Sequence, residues 1–281
     1  MNERPSGDRP LAGRTAFVSG STRGIGKAIA LRLARAGANI GITGKTGHPH
    51  TRLDGTIFSA AEEVVAAGAQ ALPLRLDVRH ESEIEASVRE AVRVFGGIDL
   101  LIHNAGAIDL RGIDELPAKK LDLLHGVNVR GTYLLTRAAL PFLRRSEWAH
   151  VVALAPPLHL GPEWFAHHLG YTLSKYGMSL VVYGLAERLR GHPIAVNALW
   201  PRTLIATAAI EYELGGPEQL RRTRHPRIVS DAVYHIVTAH PGARTGCFLS
   251  DEEVLLEAGV TDLDRYAVDP SSPLEKDIFI D

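Results

Sequence analysis

Tyr171 and Lys175 stand in the run Tyr171-Thr172-Leu173-Ser174-Lys175, a spacing that puts both side chains on one face of a helix. A free phenol has a pKa of about 10, too high to exchange a proton readily near neutrality. A neighbouring ammonium stabilises the phenolate, and lowering the phenol by about three units takes about 4 kcal/mol of differential interaction. Such a pair suits general acid/base work on an alcohol and its carbonyl. By itself the spacing recurs by chance on helices.

A second feature gives the pair company. Gly20-Ser21-Thr22-Arg23-Gly24-Ile25-Gly26 follows an apolar run of strand length and opens a helical one. Glycines there permit a turn that side chains forbid and let a pyrophosphate approach the main chain. The helix start presents unpaired N–H groups to the anion. Gly20, Ser21, Arg23, Gly24, Ile25 and Gly26 are therefore candidate dinucleotide contacts, although a tight structural turn also explains a glycine cluster. An NAD binder commonly carries a carboxylate at the end of the second strand, to hold the ribose 2′-hydroxyl. Here the chain reads Thr43-Gly44-Lys45, with a lysine and no carboxylate. Lys45 and Arg23 favour NADP(H), with NAD(H) as the alternative cofactor if both are ordinary solvated charges.

The positioning elements are legible in the hydrophobic pattern. Strands are predicted at Thr15–Ser19, Ala38–Thr43, Ala71–Leu76, Ile98–His103, Val151–Leu154, Ile194–Leu199 and around Cys247–Leu249. Helices are predicted at Lys27–Ala36, Ala60–Ala67, Glu81–Phe95, Leu116–Leu143, Tyr171–Leu189 and Asp231–Thr238. Continuous apolar strands alternating with helices imply an α/β fold, a single doubly wound Rossmann-type domain with a mostly parallel sheet flanked by helices. No linker or repeat divides the 281 residues, so residues 1–281 read as one domain with a core over about 11–250 and an extension at 251–281. The polar stretch Lys45–Ile57 and the Arg- and Gly-rich stretch Leu204–Pro226 look like surface segments able to cover a ligand.

Composition excludes several classes. A net charge of −1 gives no bulk affinity for nucleic acid or an anionic membrane. No apolar run reaches the roughly 18 residues of a membrane span. No leader or targeting tripeptide is read at either end, which leaves a cytoplasmic location as the expectation. The single Cys247 excludes an internal disulfide. His48 with His50, and His167 with His168, lack Cys or carboxylate partners at ligand spacing, so no metal is expected.

Taken together, the glycine turn, Asn104-Ala105-Gly106 after the fourth strand, Asn128, and Tyr171 with Lys175 resemble the short-chain dehydrogenase/reductase superfamily. Ser19 stands for that family's threonine before the glycines, and His103 for the first asparagine of its Asn-Asn-Ala-Gly. Asp77-Val78 resembles its adenine-contacting pair, and Asn197-Ala198-Leu199-Trp200-Pro201 the segment that reaches the nicotinamide. The likeness implies catalytic roles for Asn128, Tyr171 and Lys175. It also implies cofactor contacts at Asp77, Val78, Asn104, Ala105, Gly106, Tyr171, Lys175 and Pro201. A lipophilic small-molecule substrate is implied as well, with homodimers or homotetramers joined through the helices at Glu81–Phe95 and Leu116–Leu143.

One member of the family's catalytic set is missing. Where a serine should follow the fifth strand, this chain has Ala155-Pro156-Pro157. Losing one donor to the substrate oxygen typically costs about 2.7–4 kcal/mol of transition-state stabilisation. Another donor takes over, His159 being the nearest in sequence, or Tyr171 works alone, or the chain binds a dinucleotide with reduced chemistry. Enoyl reduction is a further alternative, disfavoured by the Asn128, Tyr171 and Lys175 set. Trp164 and Phe165 are candidates for an apolar substrate wall or for ordinary core.

Overall fold

The computed structural model describes residues 9–49, 54–208, 210 and 216–280. In chain order the elements are β1 (Thr15–Val18), α1 (Gly24–Arg35), β2 (Asn39–Gly44), α2 (Ile57–Ala66), β3 (Ala71–Arg75), α3 (Glu81–Phe95), β4 (Leu100–His103) and α4 (Ala118–Leu124). A π-helical stretch (His125–Gly131) leads into α5 (Thr132–Leu143), followed by β5 (Ala149–Leu154), α6 (Pro162–Ala166), α7 (Leu169–Arg188) and β6 (Ile194–Trp200). The chain closes with α8 (Gly216–Arg221), α9 (Arg227–Thr238), β7 (Phe248–Ser250) and α10 (Asp251–Glu257).

The seven strands form one sheet in the order β3-β2-β1-β4-β5-β6-β7. Every pairing between them is parallel. The strand period of two splits the core. Ala16, Val18, Leu100 and Ile102 join one cluster, with Ile29 and Leu33 of α1 and Val229 and Val233 of α9. Phe17 and Leu101 join the other, with Ile84 of α3, Leu135 of α5 and Val182 of α7. Helices thus cover both faces, as the continuous apolar strands require.

The structure corrects two expectations and adds a contact to a third. The long helix expected over Leu116–Leu143 is broken: α4 starts after Pro117, and the backbone widens into the π-helical stretch before α5. Gly131, in that stretch, lies so close to Val78 that an added Cβ would stand 2.9 Å from Val78 Cγ2. The residues after 250 are no appendage, because Val254, Leu255 and Tyr266 belong to the main core and the Tyr266 hydroxyl donates to Asp231 Oδ2 at 2.8 Å. In the stretch expected to cover a ligand, Asp54 and Gly55 pack on the glycine turn: Arg23 Nε and Nη2 donate to their carbonyls at 2.8 and 2.9 Å. His50 lies outside the described residues. Among the described residues no helix is long and apolar enough to cross a membrane, and no three potential ligands gather as a metal site.

His103 ends β4 fully enclosed, with Nε2 2.8 Å from Thr136 Oγ1. Burial holds its imidazole down at about 3. Unfolding releases it to an ordinary 6.5, so below 6.5 the unfolded chain takes up a proton that the folded chain refuses. Its contribution is complete above 6.5 and is lost as the pH falls towards 3, a ceiling of about 5 kcal/mol. His150, held at about 4 by its own burial, adds to the same trend. The urea midpoint should therefore fall between pH 6.5 and 4, and His103→Asn should flatten that fall measurably.

Candidate active site

The glycine turn is assembled by side chains that look inward rather than toward a ligand. Ser21 Oγ donates to the Val18 carbonyl at 3.0 Å and accepts from the Thr43 N–H at 2.9 Å, tying β1 to β2. Ser19 Oγ accepts from the N–H groups of Asn104 and Ala105, both at 3.0 Å. Asn104 in turn donates through Nδ2 to the carbonyls of Ser19 and Gly20 at 3.0 and 2.8 Å. Gly20 and Gly24 adopt φ of +67° and +53°, conformations that side chains resist. α1 starts with no side-chain cap and no acidic residue in its first turn, so its leading N–H groups are left for an anion.

From this turn a cleft of about 610 Å³ runs past Lys45, Asp77, Val78, Asn104, Ala105 and Gly106 to Tyr171, Lys175 and Pro201. It lies at the carboxyl ends of the strands, where open parallel sheets hold their ligands. A larger cavity of about 960 Å³ opens near Trp148, His150 and His240, but it contains none of the glycine turn, Tyr171 or Lys175. The glycine turn, Tyr171 and Lys175 thus share the smaller cleft. Asp77 is not a free carboxylate: Arg79 grips it at 2.6 Å, and this holds it well below the ordinary range, at about 2. Lys45 is exposed at the rim and its charge is felt at Asp77. Arg23 is committed to the loop carbonyls, and burial lowers its guanidinium somewhat.

Tyr171 and Lys175 sit in the first turns of α7 and are both buried. Lys175 Nζ donates to the Leu154 carbonyl at 2.6 Å and lies 4.9 Å from the Trp200 ring. Burial lowers the ammonium to about 7, while Asp277 pulls it back up. The Tyr171 phenol moves the other way from the expectation drawn from its lysine neighbour. Burial raises it, and the charge of Asp277 adds to the rise. At neutral pH the phenol therefore keeps its proton.

Asn128 is fully enclosed in the π-helical stretch, whose extra width turns its amide inward. Oδ1 accepts from the Ala107 N–H at 2.8 Å, and Nδ2 donates to the Ala107 carbonyl and to Ser174 Oγ at 3.0 and 2.9 Å. Ser174 Oγ passes on to the Tyr171 carbonyl at 2.8 Å. One amide thus locks the loop after β4 to the helix that carries Tyr171.

The short chain dehydrogenase family profile matches residues 14–213, most of the chain and all of the elements from β1 to β6. The chain belongs to the short-chain dehydrogenase family. It is 50% identical over 271 residues to human hydroxysteroid dehydrogenase-like protein 2 and 51% identical to the Xenopus tropicalis protein of that name. These alignments cover 96% of this chain and 64% of each relative, so the chain spans less than two thirds of their length. Among solved structures, a short chain dehydrogenase from Mycobacterium thermoresistibile superposes with a TM-score of 0.91 at 45% identity, covering 96% of both chains. A metagenomic short-chain oxidoreductase in complex with NADP superposes at 0.70 with 26% identity, covering 85% of this chain and 97% of its own.

In this short-chain dehydrogenase the serine position is an enclosed proline. Pro156 offers only its carbonyl, which accepts from Ser179 Oγ at 2.7 Å. His159 is exposed and does not line the cleft. Trp164 and Phe165 pack as an aromatic shell, against Phe279 at 5.9 Å and Tyr176 at 5.4 Å. Sequence reasoning missed Thr22 and Thr46, which face the cleft, and missed the segment 275–280 altogether. Thr22 was legible as the third residue of the turn. Nothing local in Glu275-Lys276-Asp277-Ile278 signals that it returns to Tyr171.

Proposed function

We propose that this dehydrogenase is an NADP(H)-preferring oxidoreductase that interconverts an alcohol and a carbonyl on an apolar small molecule, with Tyr171 as general acid/base. The observation that carries the reading is the continuous cleft from the open start of α1 to the buried Tyr171 and Lys175. Gly20, Ser21, Gly24, Ile25 and Gly26 would hold the pyrophosphate, through main chain at Gly20 and Gly24 and through the packing of Ser21 behind them. Asp77, Val78, Asn104, Ala105, Gly106 and Pro201 would line the bases and riboses. The bound dinucleotide supplies a hydride. For carbonyl reduction the chain supplies the proton, from the Tyr171 hydroxyl to the substrate oxygen. Lys175 orients the ribose and stabilises the tyrosinate left behind, and Asn128 fixes the loop and helix around them.

The apolar lining of the cleft, with Ile108, Leu110, Trp200, Leu204 and Ile278, supports an apolar substrate. We read residues 1–281 as one domain, consistent with the packing of the stretch after 250 into the main core. Pairing of subunits through α3 and α5 is supported by exposed Val94 and Tyr133 on those helices. The missing hydroxyl at Pro156 favours a second reading, a dinucleotide-binding protein with little or no turnover.

Lys45 at the rim, the lack of a carboxylate beside it, and the NADP held by one structural relative support the cofactor preference. Titration of tryptophan fluorescence should give NADPH binding at least about tenfold tighter than NADH, a gap of about 1.4 kcal/mol. Lys45→Ala should erase most of that gap while leaving NADH binding unchanged. Equal affinities in the parent protein would remove the NADP assignment, and no binding of either would sink the oxidoreductase reading itself.

A further inference from the structure

The hydroxyl missing at Pro156 leaves the cleft short of a donor, and a segment distant in sequence, residues 275–278, lines that same cleft. Residues 275–280 run antiparallel to the stretch after β6: Leu204 N–H donates to the Glu275 carbonyl at 2.9 Å, and Asp277 N–H to the Arg202 carbonyl at 3.1 Å. Trp200 Nε1 then donates to the Ile278 carbonyl at 2.8 Å. Phe279 takes a φ of +69°, the one left-handed non-glycine residue among the described residues. That costs energy in a residue with a side chain, and strain of this kind concentrates at functional places. It is repaid by ring packing, since the Phe279 ring lies 5.3 Å from Tyr176, 5.8 Å from Trp200 and stacks on Tyr171 at 6.2 Å.

Anchored on both sides, Asp277 is an acidic residue of the cleft that Tyr171 and Lys175 also line. It lines the same cleft and remains partly exposed to it, and its charge is felt at both side chains. We propose that the Asp277 carboxyl group, in its neutral form, donates the hydrogen bond to the substrate oxygen that a serine at Pro156 cannot. This rests on the oxidoreductase reading. The chemistry balances without a further reagent: Asp277 keeps its proton and shares it in a hydrogen bond, and Tyr171 still delivers the proton that ends on the product oxygen.

The surroundings favour the neutral form. Burial pushes the carboxyl up to about 8, against a single N–H bond from Ile278 at 2.8 Å that would favour the charged form. Asp251, at the start of α10, is a second enclosed carboxyl whose charge opposes ionisation of Asp277, and its Oδ2 has no partner. Lys175 is the cation that acts on Asp277 and pulls the other way, but its own burial weakens that pull; Arg224 plays the same part at Asp251. An ionised carboxylate here would repel the negative charge that grows on a carbonyl oxygen during reduction; a neutral carboxyl stabilises it.

The first test needs no substrate. Infrared difference spectra of the full chain against Asp277→Asn, recorded at pH 7 with and without NADPH, should contain the C=O stretch of a neutral carboxyl. That band should fade as the pH is raised through about 8. Only a carboxylate band at pH 7, in the free and loaded protein alike, overturns the proposal. Because the free protein is read as well, a failure of NADPH to bind would strike the oxidoreductase reading and leave this result interpretable.

Kinetics on a panel of ketones and aldehydes gives the second test. Asp277→Ala should lower kcat by about 10²–10³-fold with a smaller effect on KM, because the bond matters most in the transition state. Asp277→Asn keeps an N–H donor and should recover at least tenfold of that loss. An alanine variant with full turnover would refute the role. If the alanine variant fails to fold, the asparagine variant and the spectra still decide the matter.

Discussion

Tyr171→Phe is expected to cut dinucleotide-dependent carbonyl reduction by about 10²–10⁴-fold, the usual worth of a positioned proton donor. The substitution removes one hydroxyl and leaves the ring, which stacks on Phe279 and belongs to the aromatic shell beside the cleft. Folding and the walls of the pocket should therefore survive, and NADPH affinity should change by less than a few-fold. That combination separates chemistry from binding, because a change confined to kcat marks an interaction made only in the transition state. Lys175 is less clean as a probe, since its Nζ also ties α7 to the end of β5 through the Leu154 carbonyl. Steady-state rates on a carbonyl panel, with melting curves as the control, give the answer. Undiminished turnover in the phenylalanine variant would remove Tyr171 from its role. NADPH binding with no turnover in the parent protein would select the reading in which catalysis is reduced.

Much of this site was readable because local physics dictated it. The glycine turn had to follow a strand and open a helix, and the parallel sheet followed from apolar strands that have no polar face. Tyr171 and Lys175 share a face simply because they lie one helical turn apart. What stayed hidden depends on contacts between residues distant in sequence. Periodicity through Leu116–Leu143 is helical throughout, so the widened turn that aims Asn128 at Ala107 and Ser174 leaves no trace in the apolar pattern. Arg23 reads as a phosphate ligand from its place in the turn, yet Asp54 and Gly55 claim its guanidinium from a loop some thirty positions later. Asp277 is the extreme case. Its relation to Tyr171 arises from a strand-like pairing with residues 202–204 and from the ring of Phe279, neither of which has a local signature. The residue proposed to answer the hydroxyl absent at Pro156 is thus one that sequence order could not nominate.

Gly26→Ala should be the most damaging change in the turn, although it adds one methyl group. An ideal Cβ there would stand 2.3 Å from Asn104 Nδ2 and 2.3 Å from the Gly20 carbonyl oxygen. Neither can yield cheaply. The oxygen belongs to the backbone of the turn, and Asn104 Nδ2 is held by the carbonyls of both Ser19 and Gly20. The methyl must break that bracket or push α1 away from β4, and either outcome moves the N–H groups meant for the pyrophosphate. Overpacking of this kind costs about 1–3 kcal/mol of stability, a fall of a few degrees in Tm. NADPH affinity should drop further, by about 10–100-fold, because the distortion is centred on the cradle itself. Gly47→Ala is the matched control: nothing lies within 4 Å of the added atom, and its φ is not left-handed. If the two variants bound NADPH alike, Gly26 would be an ordinary packing glycine. If only Gly26→Ala fails, the close approach of Asn104 to α1 is what keeps the cradle open.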